Sequence, residues 1–494
     1  MTNPLFLIVV ALAAAFLLGL LRPERRAAAY ALSLATLAYM SAVSAAWVWD
    51  FAVAGTAPVE IFTAGGAPPF AINLRMGLAE AALTLLINLT ALLSALHLKA
   101  ALYRLGNRAM AVLLIAAMAF CGIVLTRDLF NLFVFFELAV IASAGLILLS
   151  ADERALAAGF KYLVVSQLIS VFLLLGIIFA YHAGGSLNLD DLAGIGAQSF
   201  GLAFFLMFIA LAAELKPFPA NGWALDIYES AHPAFSALFS AAAASAALYA
   251  IDKLLLIGGP AWYPLASGIG LVTFLAANLL ALPQTSDRRL LGYSSIAQTG
   301  LVLLVLGSRD ILGEATAYIA FGLLVSHAVA KAGLYWLSGL VPERALTAWA
   351  LLRSRPMPVL AFVTFIAMLS GLPPFPGFYA KWELVHHLAG TGHLALLGLI
   401  LFGALIEAGY LFRWFGYLMK REAPAASLDC PAHQALPILL ALLAGWGLGY
   451  LWGDLASAHF GRDNLLLAPP LLFALACLLA GLGGRVGGQG LGVG

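Results

Sequence analysis

The sequence predicts an all-α polytopic membrane protein of about 14–15 transmembrane helices. Three observations predict it. Of its 494 residues 63% are hydrophobic and only 10% charged, where a soluble domain carries about a quarter charged residues. Apolar runs long enough to cross a bilayer recur from one end of the chain to the other. Positive charges fall in alternate connections between those runs.

A transmembrane helix needs about 20 mostly apolar residues. Candidate spans lie near 4–22, 28–49, 76–98, 109–126, 129–150, 157–181, 199–215, 232–257, 263–282, 290–308, 313–340, 357–381, 393–418, 435–453 and 464–483. The first is read as a membrane helix and not a cleavable signal, because no small-residue cleavage site follows it. The connections are short and no linker marks a boundary, so residues 1–494 are expected to form a single integral membrane domain.

The odd-numbered connections carry Arg22, Arg25 and Arg26; Lys99, Arg104 and Arg108; Arg154; Arg288 and Arg289; Arg344, Arg353 and Arg355; and Lys420 and Arg421. The even-numbered ones are poor in Lys and Arg. By the positive-inside rule the odd connections face the cytoplasm and the N-terminus lies outside. The protein is thus expected in the cell (cytoplasmic) membrane. A net charge of +1 gives no sign of nucleic acid as a partner. Cys121, Cys430 and Cys477 are scattered, with no metal-ligand spacing and no disulfide framework. Neither a metal nor a cofactor is expected, and any redox chemistry belongs to another subunit.

Two spans are interrupted by proline, at Glu214-Leu-Lys216-Pro217-Phe-Pro219-Ala-Asn-Gly222-Trp223 and at Gly371-Leu-Pro373-Pro374-Phe-Pro376-Gly377-Phe-Tyr-Ala-Lys381. Proline removes a backbone donor and clashes with the preceding turn, so each helix must break there. Irregular backbone at membrane depth is tolerated where it is buried in protein or lines a wet cavity. Two breaks in comparable places point to an inverted-repeat transporter with ion sites at the breaks; the plainer alternative is a pair of kinked packing helices.

Ionisable groups within a span cost about 2.5–3.5 kcal/mol each on insertion scales, so they face partners or water and mark function. Glu137 lies mid-span in an otherwise apolar helix. Glu214 and Lys216 flank the first break, and their spacing would put them on different faces of a regular helix. His327 and Lys331, four apart, share one face. Lys381 closes the second break. Further candidates are Lys161, which could instead snorkel to the surface, Asp226, Lys253 near the end of its span, and Glu407. Alternating acids, lysines and a histidine suit a proton path, because neighbouring charges and burial shift their protonation. Each residue taken alone also has a packing explanation.

These residues carry a family resemblance. Asp128–Glu137, Gly159–Leu163, Trp223–Ser240, Ser286-Asp-Arg-Arg-Leu-Leu-Gly-Tyr-Ser-Ser-Ile-Ala-Gln298, His327–Gly339 and Gly371–Lys381 resemble, in colinear order, the antiporter-like subunits shared by respiratory complex I, Mrp-type cation/proton antiporters and membrane-bound hydrogenases. The resemblance implies two inverted five-helix repeats, near 109–257 and 263–418, with extra helices at both ends. It implies assembly with other membrane subunits, antiporter-like chains among them, and movement of H⁺, with Na⁺ as a further candidate. It implies that Glu137 pairs with the broken-helix lysine, that His327 and Lys331 form a central relay, and that Lys381 is the terminal group.

Two positions depart from the family pattern. Glu214 stands where the broken-helix lysine would fall, with Lys216 two residues on, so that either Lys216 meets Glu137 or two acids share a proton or cation. Ser245 stands where the next helix usually carries a lysine. The leading expectation is proton, or coupled cation/proton, translocation within a complex. The alternatives are a redox-driven pumping subunit of a complex I-like or hydrogenase-like enzyme, a self-sufficient secondary carrier, and a scaffold that no longer pumps.

Overall fold

A computed structural model describes residues 3–63, 65, 66, 68, 71–149, 153–193, 201–419 and 427–461. The expected span 464–483, Cys477, Lys420 and Arg421 lie outside the described residues.

Helices α1 (Phe6–Leu20) and α2 (Arg26–Ala52) precede a small antiparallel hairpin of β1 (Val59–Phe62) and β2 (Asn73–Met76), in which Val59 pairs with Met76. Helix α3 (Leu78–His97) runs into the short α4 (Lys99–Leu105). Then come α5 (Asn107–Leu125), α6 (Leu129–Leu148), α7 (Glu153–Gly184) and the short α8 (Leu189–Ala193). The first broken helix consists of α9 (Gly201–Glu214) and α10 (Gly222–Ser230). Helix α11 (Pro233–Leu238) continues through a π-helical turn (Phe239–Ala243) into α12 (Ala244–Gly258). Helices α13 (Tyr263–Ala281), α14 (Asp287–Leu306), α15 (Arg309–Leu312) and α16 (Ala315–Ser338) lead to the second broken helix, α17 (Pro356–Ser370) and α18 (Pro376–Gly390). Helices α19 (Leu394–Leu418) and α20 (Ala432–Phe460) follow.

Among the described residues eleven segments are long and apolar enough to cross a membrane, and Phe6–Leu20, Gly201–Glu214 and Pro356–Ser370 are shorter apolar helices. The order of three long helices, one broken helix and one long helix occurs twice, starting at α5 and at α13. This is the all-α fold with discontinuous helices that the sequence predicts. The hairpin was not anticipated; its alternation covers four residues per strand, too few to stand out beside the helical runs.

Local chemistry sets the helix ends. The Asp128 carboxylate accepts from the Asn131 amide at 2.7 Å and so caps α6. Pro233 starts α11 and Pro376 starts α18, positions where the missing donor costs nothing. Gly371 ends α17 in the left-handed conformation, φ 73°. Helices α13 and α14 meet backbone to backbone: a Cβ on Gly270 would lie 2.4 Å from the Leu304 nitrogen, so only glycine permits this approach.

Hydrogen bonds between connections sort the loops into two ends. Arg26 donates to the Tyr103 carbonyl, Asp287 N–H to the Arg344 carbonyl, Arg413 to the Gln284 carbonyl, and Leu428 N–H to the Ser354 hydroxyl. These join odd connections to odd. At the other end Arg127 N–H donates to the Asn73 carbonyl, Leu129 N–H to the Leu187 carbonyl, and Arg309 pairs with Asp252. These join even to even, the alternation that the positive charges imply.

Candidate functional site

Among the buried ionisable residues, Glu214 and Lys216 lie at the first break, His327 and Lys331 on α16, and Glu407 beside the second break. At the first break α9 ends at Glu214, and the chain turns through Lys216 with φ 60°, the only positive φ of a non-glycine residue among those described. A lysine held there carries backbone strain of a kind that concentrates at functional sites. The turn brings the two side chains together. Lys216 Nζ lies 3.7 Å from Glu214 Oε1, and both are buried. Tyr162 on α7 donates to the same Oε1 at 3.4 Å and stacks on Trp223 at 5.5 Å. Lys216 Nζ sits 5.9 Å from the Trp223 ring. A cavity of about 10 Å³ adjoins Glu214 and Lys216, room for about one water.

Glu137 does not belong to this pair. Its Oε2 accepts from Gln167 Nε2 on α7 at 2.9 Å, and its buried Oε1 has no partner among the described residues. Neither arrangement raised for Glu137 is present: no contact with Lys216 forms, and Glu214 meets a lysine instead of a second acid. The altered break has become a self-contained pair.

Helix α16 holds His327 and Lys331 on one buried face. His327 Nε2 faces the Ser240 carbonyl at 3.1 Å, so Nε2 carries the proton and Nδ1 keeps a lone pair with no partner among the described residues. Ser240 sits in the π-helical turn, and its hydroxyl bonds that of Ser295 at 2.8 Å. Such turns recur at functional sites. Lys331 is fully buried, donates to the Leu291 carbonyl at 3.3 Å, and forms no ion pair among the described residues. Ser245 is also fully buried; its hydroxyl donates back to the Ala241 carbonyl at 2.6 Å and stores no charge.

At the second break Lys381 on α18 reaches back across the gap. Its ammonium donates to the Leu369 carbonyl of α17 at 3.2 Å and to Glu407 Oε2 on α19 at 3.1 Å. Glu407 is fully buried, and its other oxygen accepts from Gln298 on α14 at 2.5 Å. Gly371 makes room for this: a Cβ there would lie 2.8 Å from Lys381 Cδ. One carboxylate therefore ties together three helices.

The remaining candidates lie elsewhere. Lys161 and Asp226 form an accessible ion pair at 2.8 Å, with side chains 59% and 36% exposed, apart from the buried line. Lys253 is buried and donates to the carbonyls of Ile123, Val124 and Thr126 at 2.8–3.0 Å, closing the C-terminal end of α5. Sequence reasoning missed Gln167, Tyr162 and Gln298 as partners. The signal available for Gln167 was an amide within an apolar run; for the others, pairing across helices left no local trace.

The family described as NADH:quinone oxidoreductase/Mrp antiporter, transmembrane, matches residues 126–407, the stretch that contains both breaks and all of these buried groups. NADH-quinone oxidoreductase subunit N of Desulforudis audaxviator is 29% identical over 472 residues, covering 88% of this chain and 92% of that one. A chain of the archaeal membrane-bound sulfane sulfur reductase superposes with a TM-score of 0.83 at 25% identity, over 97% of both chains. A chain of the Mrp complex from Dietzia sp. DQ12-45-1b also reaches 0.83, at 23% identity over 97% of this chain and 100% of that one. With its matched segment, its two broken helices and its buried charges in place, the chain belongs to the NADH:quinone oxidoreductase/Mrp antiporter transmembrane family.

Proposed function

We propose that the chain moves protons, alone or in exchange for another cation, across the cytoplasmic membrane as one antiporter-like subunit of a multi-subunit complex. Residues 109–257 and 263–418 serve as the two repeats. The carrying observation is the second break, where Lys381 is shared between a half-helix carbonyl and Glu407. A movement that reassigns Glu407 takes from Lys381 the carboxylate that favours its charged form. His327, with one nitrogen donating and the other open, can pass a proton along α16. Glu214 and Lys216 form the corresponding pair of the first repeat, while Glu137 and Gln167 make a separate contact between α6 and α7. The driving reaction comes from partner subunits.

The test is reconstitution of the complex, purified from native membranes, into vesicles carrying a pH-sensitive dye. Lys331→Met should reduce proton movement at least tenfold in a complex that assembles with all its subunits. Undiminished proton movement would remove Lys331 from the path.

A second reading, a redox-driven pumping arm, is favoured by the name of the Desulforudis audaxviator relative, which spans most of the chain. Identifying the co-purifying subunits separates the two. Partners bearing iron–sulfur or flavin-binding sequences support the redox arm. Small hydrophobic subunits and other antiporter-like chains alone support cation/proton exchange.

A further inference from the structure

Apart from the buried line, a cavity opens at the end of the molecule where the odd connections meet. It has a volume of about 230 Å³ and is lined by side chains from three separate parts of the chain. Arg104 comes from α4, His232 from the start of α11, and Arg288 from the first turn of α14. Among the described residues no carboxylate lines it.

All three side chains have donors to spare. Arg104 forms no ion pair among the described residues. Arg288 donates to the Ala231 carbonyl at a long 3.4 Å, and its buried Nε has no partner among the described residues. The acids nearest in sequence are engaged elsewhere: Asp287 accepts from the Ser338 hydroxyl and the Arg288 amide, and Glu229 pairs with Arg289. His232 Nδ1 accepts from the Ala234 amide at 3.3 Å, which leaves the ring proton on Nε2 as a donor.

The geometry points to a binding site for a phosphoryl anion in this cavity, held by Arg104, Arg288 and His232. Guanidinium groups match phosphate oxygens with paired, charge-assisted hydrogen bonds. A vestibule that gathered cations would need the opposite sign of charge. The positive-inside rule places this end at the cytoplasmic interface, where basic pockets between membrane helices bind lipid headgroups. The same chemistry would accept a free phosphate. Because Arg104 precedes both repeats, His232 lies in the first and Arg288 in the second, an occupant would tie the three parts together and raise the stability of the whole chain by mass action.

The test uses the intact complex in neutral detergent, following thermal unfolding of this subunit. Phosphatidylglycerol is compared with phosphatidylcholine at equal mole fraction, and inorganic phosphate with chloride at equal ionic strength. The site predicts a rise in midpoint with phosphatidylglycerol, with phosphate, or with both. A response to phosphate alone identifies the soluble anion, and a response to phosphatidylglycerol alone identifies the headgroup. Arg104→Gln combined with Arg288→Gln should raise the concentration needed at least tenfold, and Arg104→Lys much less. Ala101→Trp fills the cavity from its apolar wall while keeping all three donors, and should abolish the response. It decides the matter if the double variant does not fold. No shift in the parent protein, or an undiminished shift in Ala101→Trp, overturns the site.

Discussion

The two breaks solve one problem differently. At the first, acid and lysine sit two residues apart in the same turn, brought together by the left-handed Lys216 backbone, and the contact is long at 3.7 Å. At the second, Lys381 pairs at 3.1 Å with Glu407, 26 residues away on another helix, and Glu407 is held in turn by Gln298. A pair within one turn moves with that turn. A pair spanning α14, α18 and α19 responds to any relative movement of those helices. The second break thus couples three helices through one carboxylate, whereas the first keeps its charge balance within one turn.

The largest effect that would break this comparison comes from Glu407→Ala. It leaves Lys381 without its carboxylate in the interior and should cost about 3 kcal/mol, seen as a lowered unfolding midpoint of the purified complex. A change within error would mean that the pair holds nothing together. Glu214→Gln should cost less, about 1–2 kcal/mol, since the amide still accepts from Tyr162 and the lost ion pair is long. If it proves costlier than Glu407→Ala, the roles of the two breaks are reversed. Gly371→Ala should destabilise by about 1 kcal/mol through the positive φ. It should also lower proton movement severalfold, because the new methyl crowds the Lys381 stem. Glu137→Gln keeps the hydrogen bond with Gln167 and should change stability by less than about 0.5 kcal/mol, while proton movement falls if Glu137 loads the first repeat. Full proton movement in that assembled variant would leave Glu137 a packing residue.

Much of this fold was legible because membrane helices announce themselves through length and apolarity, and because proline marks a break wherever it stands in a span. The face shared by His327 and Lys331 followed from helical spacing alone. Pairing was another matter. Glu214 and Lys216 fall on different faces only while the helix is regular; the Lys216 backbone conformation rotates them together, and no residue type signals that beforehand. Lys381 and Glu407 were each singled out, yet their contact depends on how α18 crosses α19. Lys253 had the appearance of an interface residue, but the carbonyls it caps belong to a helix more than a hundred residues earlier. The resemblance placed Glu137 opposite a lysine, whereas the shifted lysine here turns to its own neighbour.

The most direct test of the central claim is proton movement by the reconstituted complex carrying Lys381→Met. The methionine keeps the length of the stem beneath Gly371 and removes only the charge that Glu407 and the Leu369 carbonyl share. Proton movement should fall below about a tenth of the parent value (a tenfold change corresponding to about 1.4 kcal/mol), with every subunit still assembled. Proton movement equal to the parent's in that assembled complex would contradict it.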